Sequence, residues 1–194
     1  NSHRGAVVRP KGCKYLNYEG EVAIVIGRTA RGIALKDAAD YIAGYTIAND
    51  FGLHDFRDTD RESMLRVKGA DTLGAVGPGL VTGWDFHGKV LRTTVNGKVV
   101  QEGAMDDLIW DMHYLVTDIA RLITLNAGDL ILSGTPANSR PVKPGDVVAV
   151  EVDGLGRLEN TIVEGPSPVS RECGAPPMDS EKARGVALGE GLIT

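Results

Sequence analysis

Residues 16–27 read Leu-Asn-Tyr-Glu-Gly-Glu-Val-Ala-Ile-Val-Ile-Gly. The second half is apolar at every position, the pattern of a strand buried on both faces. Ahead of it, residues 1–15 form an extended approach punctuated by Pro10 and Gly12. Residues 35–42 suit a short helix with Ala34, Ala38, Ala39 and Ile42 as a small packing face. Residues 43–51 predict a second strand that ends in Asn49-Asp50, and the charged stretch 52–62 a loop or short helix. Residues 89–101 predict a hairpin around Asn96-Gly97, since that pair tolerates the positive φ of a type I′ turn. Ile109, Met112, Leu115, Val116, Ile119, Leu122 and Ile123 recur at helical spacing, predicting a helix over 106–125. Strands follow over 130–134, 147–152 and 157–163, separated by Gly, Pro and Asp turns.

After Gly165 periodicity is lost. The expectation is one domain over residues 1–164 and an irregular tail over 165–194, loosely ordered or packed on a neighbour. Strands outnumber helices, so the fold class is α+β and mainly β, with one or two peripheral helices.

Composition narrows the function classes. The net charge is −5 and there is no long basic run, so a nucleic-acid footprint is not visible. No apolar stretch approaches a membrane span. Two distant cysteines, Cys13 and Cys173, do not make a disulfide framework, and the expectation is a reduced, cytoplasmic protein. The chain opens on Asn1 rather than Met, so further sequence upstream is expected.

The strongest chemical signal is Glu19-Gly20-Glu21. Residues two apart on a strand share a face. Following that face onward gives Ala23 and Val25, so both carboxylates point toward an interior. Two carboxylates there repel and are costly to keep ionised, which a divalent cation would resolve. Oxygen ligands favour Mg²⁺, Mn²⁺ or Ca²⁺ over zinc. The competing reading is a solvated strand end. Asp50 has the same two readings, a carboxylate projecting into a cleft or a turn cap. Lys68 could meet a substrate carboxylate or enolate, or sit on the surface. The backbone and hydroxyl of Gly134-Thr135-Pro136 could hold an oxyanion, or form a plain loop. None of the four histidines makes a metal-ligand spacing. Neither a Gly-Xaa-Ser-Xaa-Gly elbow nor a phosphate-binding Gly-rich loop is present.

These pieces in this order resemble the fumarylacetoacetate hydrolase superfamily. The resemblance covers roughly residues 6–164. It is carried by Tyr18 to Gly27, Gly44 to Asp50, Arg66-Val67-Lys68, Val95-Asn96-Gly97, Gly134-Thr135-Pro136 and Pro144-Gly145-Asp146. Ser133 to Pro141 and Met64 to Gly69 are similar to the isomerase/decarboxylase branch of homoprotocatechuate (4-hydroxyphenylacetate) catabolism. That branch contains 5-carboxymethyl-2-hydroxymuconate isomerases and 5-oxopent-3-ene-1,2,5-tricarboxylate decarboxylases.

The resemblance implies a mixed-sheet β-roll or barrel-like fold and a homodimer. It implies Mg²⁺ or Mn²⁺ on Glu19, Glu21 and Asp50, with Lys68 catalytic and Lys68, Thr135, Gly134 and His54 contacting substrate. The implied activity is decarboxylation and/or isomerisation of an unsaturated 2-oxo di- or tricarboxylate through a metal-stabilised enolate. Acylpyruvate hydrolysis, oxaloacetate decarboxylation or a non-catalytic homologue are the alternatives. Many relatives carry arginine where His54 stands, and some use an upstream His–Glu pair as general base. That segment precedes Asn1, so no base is assigned.

Overall fold

The computed structural model describes residues 1–189. Strand β1 spans Ala6–Lys11, β2 Leu16–Asn17, β3 Gly20–Ile26, β4 Ile42–Asp50, β5 Gly52–Leu53 and β6 Gly74–Val81. Then come β7 (Val90–Val95), β8 (Lys98–Ala104), β9 (Leu130–Leu132), β10 (Pro141–Val142), β11 (Val147–Val152) and β12 (Gly156–Pro168). The helices are α1 (Leu65–Lys68), α2 (Met112–Ala120) and α3 (Glu181–Leu188). Short 3-10 turns lie at Leu35–Tyr41, His54–Phe56 and Met105–Asp107. The fold is mainly β, as the strand count in the sequence predicts.

The strands form three sheets, ordered β1-β12-β11-β7-β8, β6-β4-β3-β9 and β10-β2-β5. Pairing is antiparallel except between β1 and β12, which run parallel from Ala6 beside Thr161. The first two sheets face each other across the core, where Val22, Ile24, Ile26, Ile47, Val148, Val150 and Leu158 are buried. The Asn96-Gly97 hairpin forms as expected, with φ of 51° and 80° at its two turn residues.

Several expectations change. The strand expected over 16–27 is broken at Tyr18-Glu19, so its start pairs in one sheet and its continuation in another. Residues 35–41 form a 3-10 turn in which Ala38 is buried but Ala34 and Ala39 are exposed. The helix expected over 106–125 is confined to Met112–Ala120. Asp111 caps it by accepting from the Tyr114 N–H at 2.7 Å, so Ile109 precedes the helix. Met112, Val116 and Ala120 make its buried stripe, and Ile109, Leu122 and Ile123 stay exposed. Strand β6 was not foreseen. Its three glycines and Pro78 hide strand character, but it is an edge strand, where proline is tolerated.

The tail is the largest correction. β12 continues to Pro168, and α3 forms where irregular chain was expected. Ser180 caps α3 by accepting from Ala183 N–H at 3.1 Å, and Ala183 and Ala187 turn inward onto Tyr15. The Met178 N–H donates to the Asp55 carbonyl at 2.8 Å, and Asn17 Nδ2 donates to the Ala187 carbonyl at 2.9 Å. The helix therefore packs on this chain's own ligand-bearing region. Residues 190–194 of that expectation lie outside the described residues.

Candidate metal centre and active site

The site is built where β3 begins and β4 ends. Gly20 pairs with Asn49, and Glu21 with Ala48. Gly20 faces the opposing sheet so closely that a Cβ would lie 2.3 Å from Thr93 Oγ1 and 3.0 Å from Val150. Only glycine allows that approach. Glu21 consequently points away from the sandwich. Asn49, fully buried, fixes Glu19 by accepting from its backbone N–H at 2.9 Å. The Asp50 N–H donates in turn to the Glu19 carbonyl at 2.9 Å. The Glu19 backbone is thus tied to the end of β4 by one side-chain and one backbone bond.

One oxygen from each of Glu19, Glu21 and Asp50 lies within 4.8 Å of the others. Lys68 Nζ reaches into this triad at 2.6 Å from Glu19 Oε2 and 2.9 Å from Asp50 Oδ2, and also donates to the Asp50 carbonyl at 2.7 Å. Gly134, at φ of 100°, turns its N–H onto Glu21 Oε2 at 2.6 Å. Burial pushes the Glu19 carboxyl up despite Lys68. Burial, then the charges of Asp50 and Glu19, push Glu21 up to about 7, against the pull of the Gly134 N–H. A hard divalent cation fits such an all-oxygen cluster, because its charge offsets what desolvation and mutual repulsion cost. Gly134 engages one Glu21 oxygen and leaves the other for a ligand role.

Residues 1–163 match the fumarylacetoacetate (FAA) hydrolase C-terminal family. The chain belongs to that family. It is 42% identical over 164 residues to the 4-hydroxyphenylacetate degradation bifunctional isomerase/decarboxylase of Salmonella dublin, covering 83% of this chain and 38% of the relative. The structure of a 5-carboxymethyl-2-hydroxymuconate delta-isomerase from Mycobacterium smegmatis superposes with a TM-score of 0.80 at 38% identity, covering 86% of this chain and 66% of that one. The maleylpyruvate hydrolase of Sphingobium sp. SYK-6 superposes with a TM-score of 0.77 at 29% identity, covering 84% and 60%. The chain therefore spans less than two thirds of the length of each of these relatives.

For this member of the fumarylacetoacetate hydrolase family, the structure brings Glu19, Glu21, Asp50 and Lys68 together. Lys68 is not a surface lysine; its side chain is 20% exposed and bonded to two carboxylates. Gly134 lies in the site too, but its N–H is engaged by Glu21 rather than offered to an oxyanion. Thr135 Oγ1 accepts from Gln101 Nε2 at 3.1 Å. His54 is 3% exposed, and burial, with Lys68 and Arg57 nearby, lowers its pKa to about 4. It is a neutral imidazole, unable to replace an arginine's charge. Arg66 donates to Asp60 Oδ1 at 2.9 Å and helps to anchor the start of α1.

Three positioning residues escaped the sequence reading: Asn49, Gln101 and Asp60. Asn49 was noted only beside Asp50. Gln101 was read as the end of a hairpin arm, yet it is 2% exposed and holds the loop after β9 through Thr135 and the Pro136 carbonyl at 2.6 Å. A signal was available for Asp60, an acid six residues before Arg66-Val67, whose N–H groups it accepts.

Proposed function

We propose that the chain is the catalytic part of a divalent-metal-dependent enzyme of aromatic (4-hydroxyphenylacetate/homoprotocatechuate) catabolism. Its reaction is decarboxylation and/or isomerisation of an unsaturated 2-oxo dicarboxylate or tricarboxylate. The observation that carries this reading is the lodging of the Lys68 ammonium against Glu19 and Asp50, beside Glu21. The names of the Salmonella and Mycobacterium relatives support the reaction class.

In this reading Glu19, Glu21 and Asp50 hold Mg²⁺ or Mn²⁺. When bound, the cation supplies a Lewis acid for the oxygens of a 2-oxo acid. Lys68 has three donors and can meet negative charge building on the substrate oxygen while keeping a carboxylate partner. The Thr135 hydroxyl accepts from Gln101, so its own proton is free for a substrate oxygen. Gly134 orients Glu21 rather than the substrate. His54 serves as an uncharged neighbour of Lys68. Arg57 is the cation for a distal carboxylate: among the described residues its guanidinium bonds only the Met64 sulfur, at 2.8 Å.

A second reading, hydrolysis of an acylpyruvate in the same site, has the likeness to maleylpyruvate hydrolase in its favour. Oxaloacetate decarboxylation uses the same groups. A homodimer also belongs to this proposal, with the exposed Leu122 and Ile123 as apolar surface for a partner copy. The deciding experiment incubates a panel of 2-oxo acids with Mg²⁺ and identifies products by mass spectrometry. Loss of CO₂ or a shifted double bond is expected. Cleavage of acylpyruvates alone would favour the hydrolase, and turnover of none would leave a non-catalytic homologue.

A further inference from the structure

The loop that orients Glu21 has a second side. Ser133, Gly134, Thr135 and Pro136 also line an open cleft of about 550 Å³, together with Met105, Leu108, Ile109, Trp110 and Leu115. The Gly134 backbone therefore belongs to both places: its N–H bonds Glu21 at 2.6 Å, and its other face borders the cleft. The triad and the cleft thus share the Gly134 loop, although none of Glu19, Glu21, Asp50 and Lys68 lines the cleft itself.

The lining is chemically one-sided. Apolar side chains dominate, and among the described residues the ionisable side chains lining it are the carboxylates of Glu102 and Asp107. Glu102 is paired with Arg92 at 2.7 Å, while Asp107 has no ion-pair partner among the described residues. Among the described residues no lysine, arginine or histidine lines the cleft. Trp110, which lines it, is held by stacking on Tyr114, with ring centroids 4.4 Å apart. An apolar group gains by leaving water here, whereas a carboxylate would meet the charge of Asp107 and find the nearby Arg92 already paired with Glu102.

We infer that this cleft is a substituent subsite: it takes an alkyl or aryl arm of a 2-oxo acid whose head lies at the triad, and it rejects a carboxylated arm. The inference rests on the metal and 2-oxo acid reading above and adds the specificity of the arm. Carboxylated arms belong on the Arg57 side of the triad, apolar arms on the Trp110 side.

Three probes separate the possibilities: pyruvate as the head alone, 2-oxohexanoate as head plus alkyl arm, and 2-oxoadipate, in which a carboxylate replaces the terminal methyl. With Mg²⁺ present, 2-oxohexanoate should bind about tenfold tighter than pyruvate through its added methylenes. It should also shift the emission of Trp110, read in a Trp84→Phe protein so that Trp110 is the sole tryptophan. Pyruvate and 2-oxoadipate should leave that emission unchanged. Trp110→Ala in the otherwise native chain should remove the alkyl gain and keep pyruvate binding, which covers the case in which Trp84→Phe fails to fold. Equal binding of pyruvate and 2-oxohexanoate overturns the subsite alone, as does a Trp110 response to 2-oxoadipate matching that to 2-oxohexanoate. Absence of Mg²⁺-dependent binding for all three acids overturns the metal reading and the subsite with it.

Discussion

The two sides of Gly134 are made in opposite ways. The carboxylate corner rests on paired strands: Glu21 on β3, Asp50 at the end of β4, and Glu19 locked by Asn49 and the Asp50 N–H. Its groups have little freedom, and their charges are held at a cost that only a rigid frame can sustain. The cleft takes one wall from the end of β8, at Glu102 to Ala104, and the rest from a 3-10 turn, the residues before α2, Leu115 of α2 and the loop after β9. Apart from β8 it offers shape and hydrophobicity without a strand ladder. On the proposed reading, the contrast puts the chemistry on paired strands and most of the choice of substrate arm on connecting segments, where sequence can change without disturbing the ligands.

The most severe way to test the corner is to remove its metal. Exhaustive chelation should abolish turnover, and Mg²⁺ or Mn²⁺ should restore it; full activity in EDTA would place the chemistry elsewhere. Glu21→Gln tests the same corner through stability. The metal-free variant should melt at or above the wild-type temperature, and it should lose most of the rise that Mg²⁺ gives the wild type. An unchanged metal response would remove Glu21 from the ligand set.

Next in size is Lys68→Met. A charge-assisted contact in a partly buried site is worth about 1.5–3 kcal/mol, so kcat/KM should fall about tenfold or more. Metal affinity, followed by titration with Mn²⁺, should change far less, and equal losses in both would make Lys68 a support of the metal alone. On the substrate side, deleting the distal carboxylate from a di- or tricarboxylate 2-oxo acid should lower kcat/KM by about tenfold at fixed salt. Arg57→Leu should erase that difference. If wild type turns over both compounds equally, apolar-armed acids become the better substrates and the cleft outranks Arg57.

The His54 test reads stability rather than turnover, so it leaves activity near neutral pH unchanged. Its folded pKa of about 4 lies below the ordinary 6.5, so the unfolded chain takes up a proton that the folded chain refuses. Stability is therefore complete above pH 6.5 and falls as pH drops toward 4. Relative to His54→Asn, the wild type should lose about 3 kcal/mol across that window, measured by urea unfolding at each pH. Parallel pH profiles for the two proteins would show that His54 titrates normally.

Much of the corner was readable from residue order, because acids that interrupt strong apolar strands are conspicuous. Glu19, Glu21 and Asp50 stand out for that reason, and the hairpin at Asn96-Gly97 follows from its turn chemistry. What resisted reading lacked an apolar period. β6 carries glycines and a proline, and α3 turns only two alanines inward. The helix α2 was overextended because Ile109, Leu122 and Ile123 fit its spacing while remaining outside it. Apolar residues kept at the surface look like core in a sequence. Gln101 and His54 are polar residues deep in the fold, and burial of that kind depends on partners far along the chain.

The parallel pairing of β1 with β12 has a consequence for how the molecule comes into being. Ala6 must wait for Thr161 before the five-stranded sheet can close. On a ribosome, β1 emerges long before β12 exists, and its unpaired edge stays open until then. Assembly of the corner follows the same timetable, because Gly134 reaches Glu21 only after most of the chain has been made. Nascent chains stalled before Gly134 should therefore lack both the closed sheet and the Gly134 bond to Glu21. During that interval the open edge that β12 will cover is available to other chains.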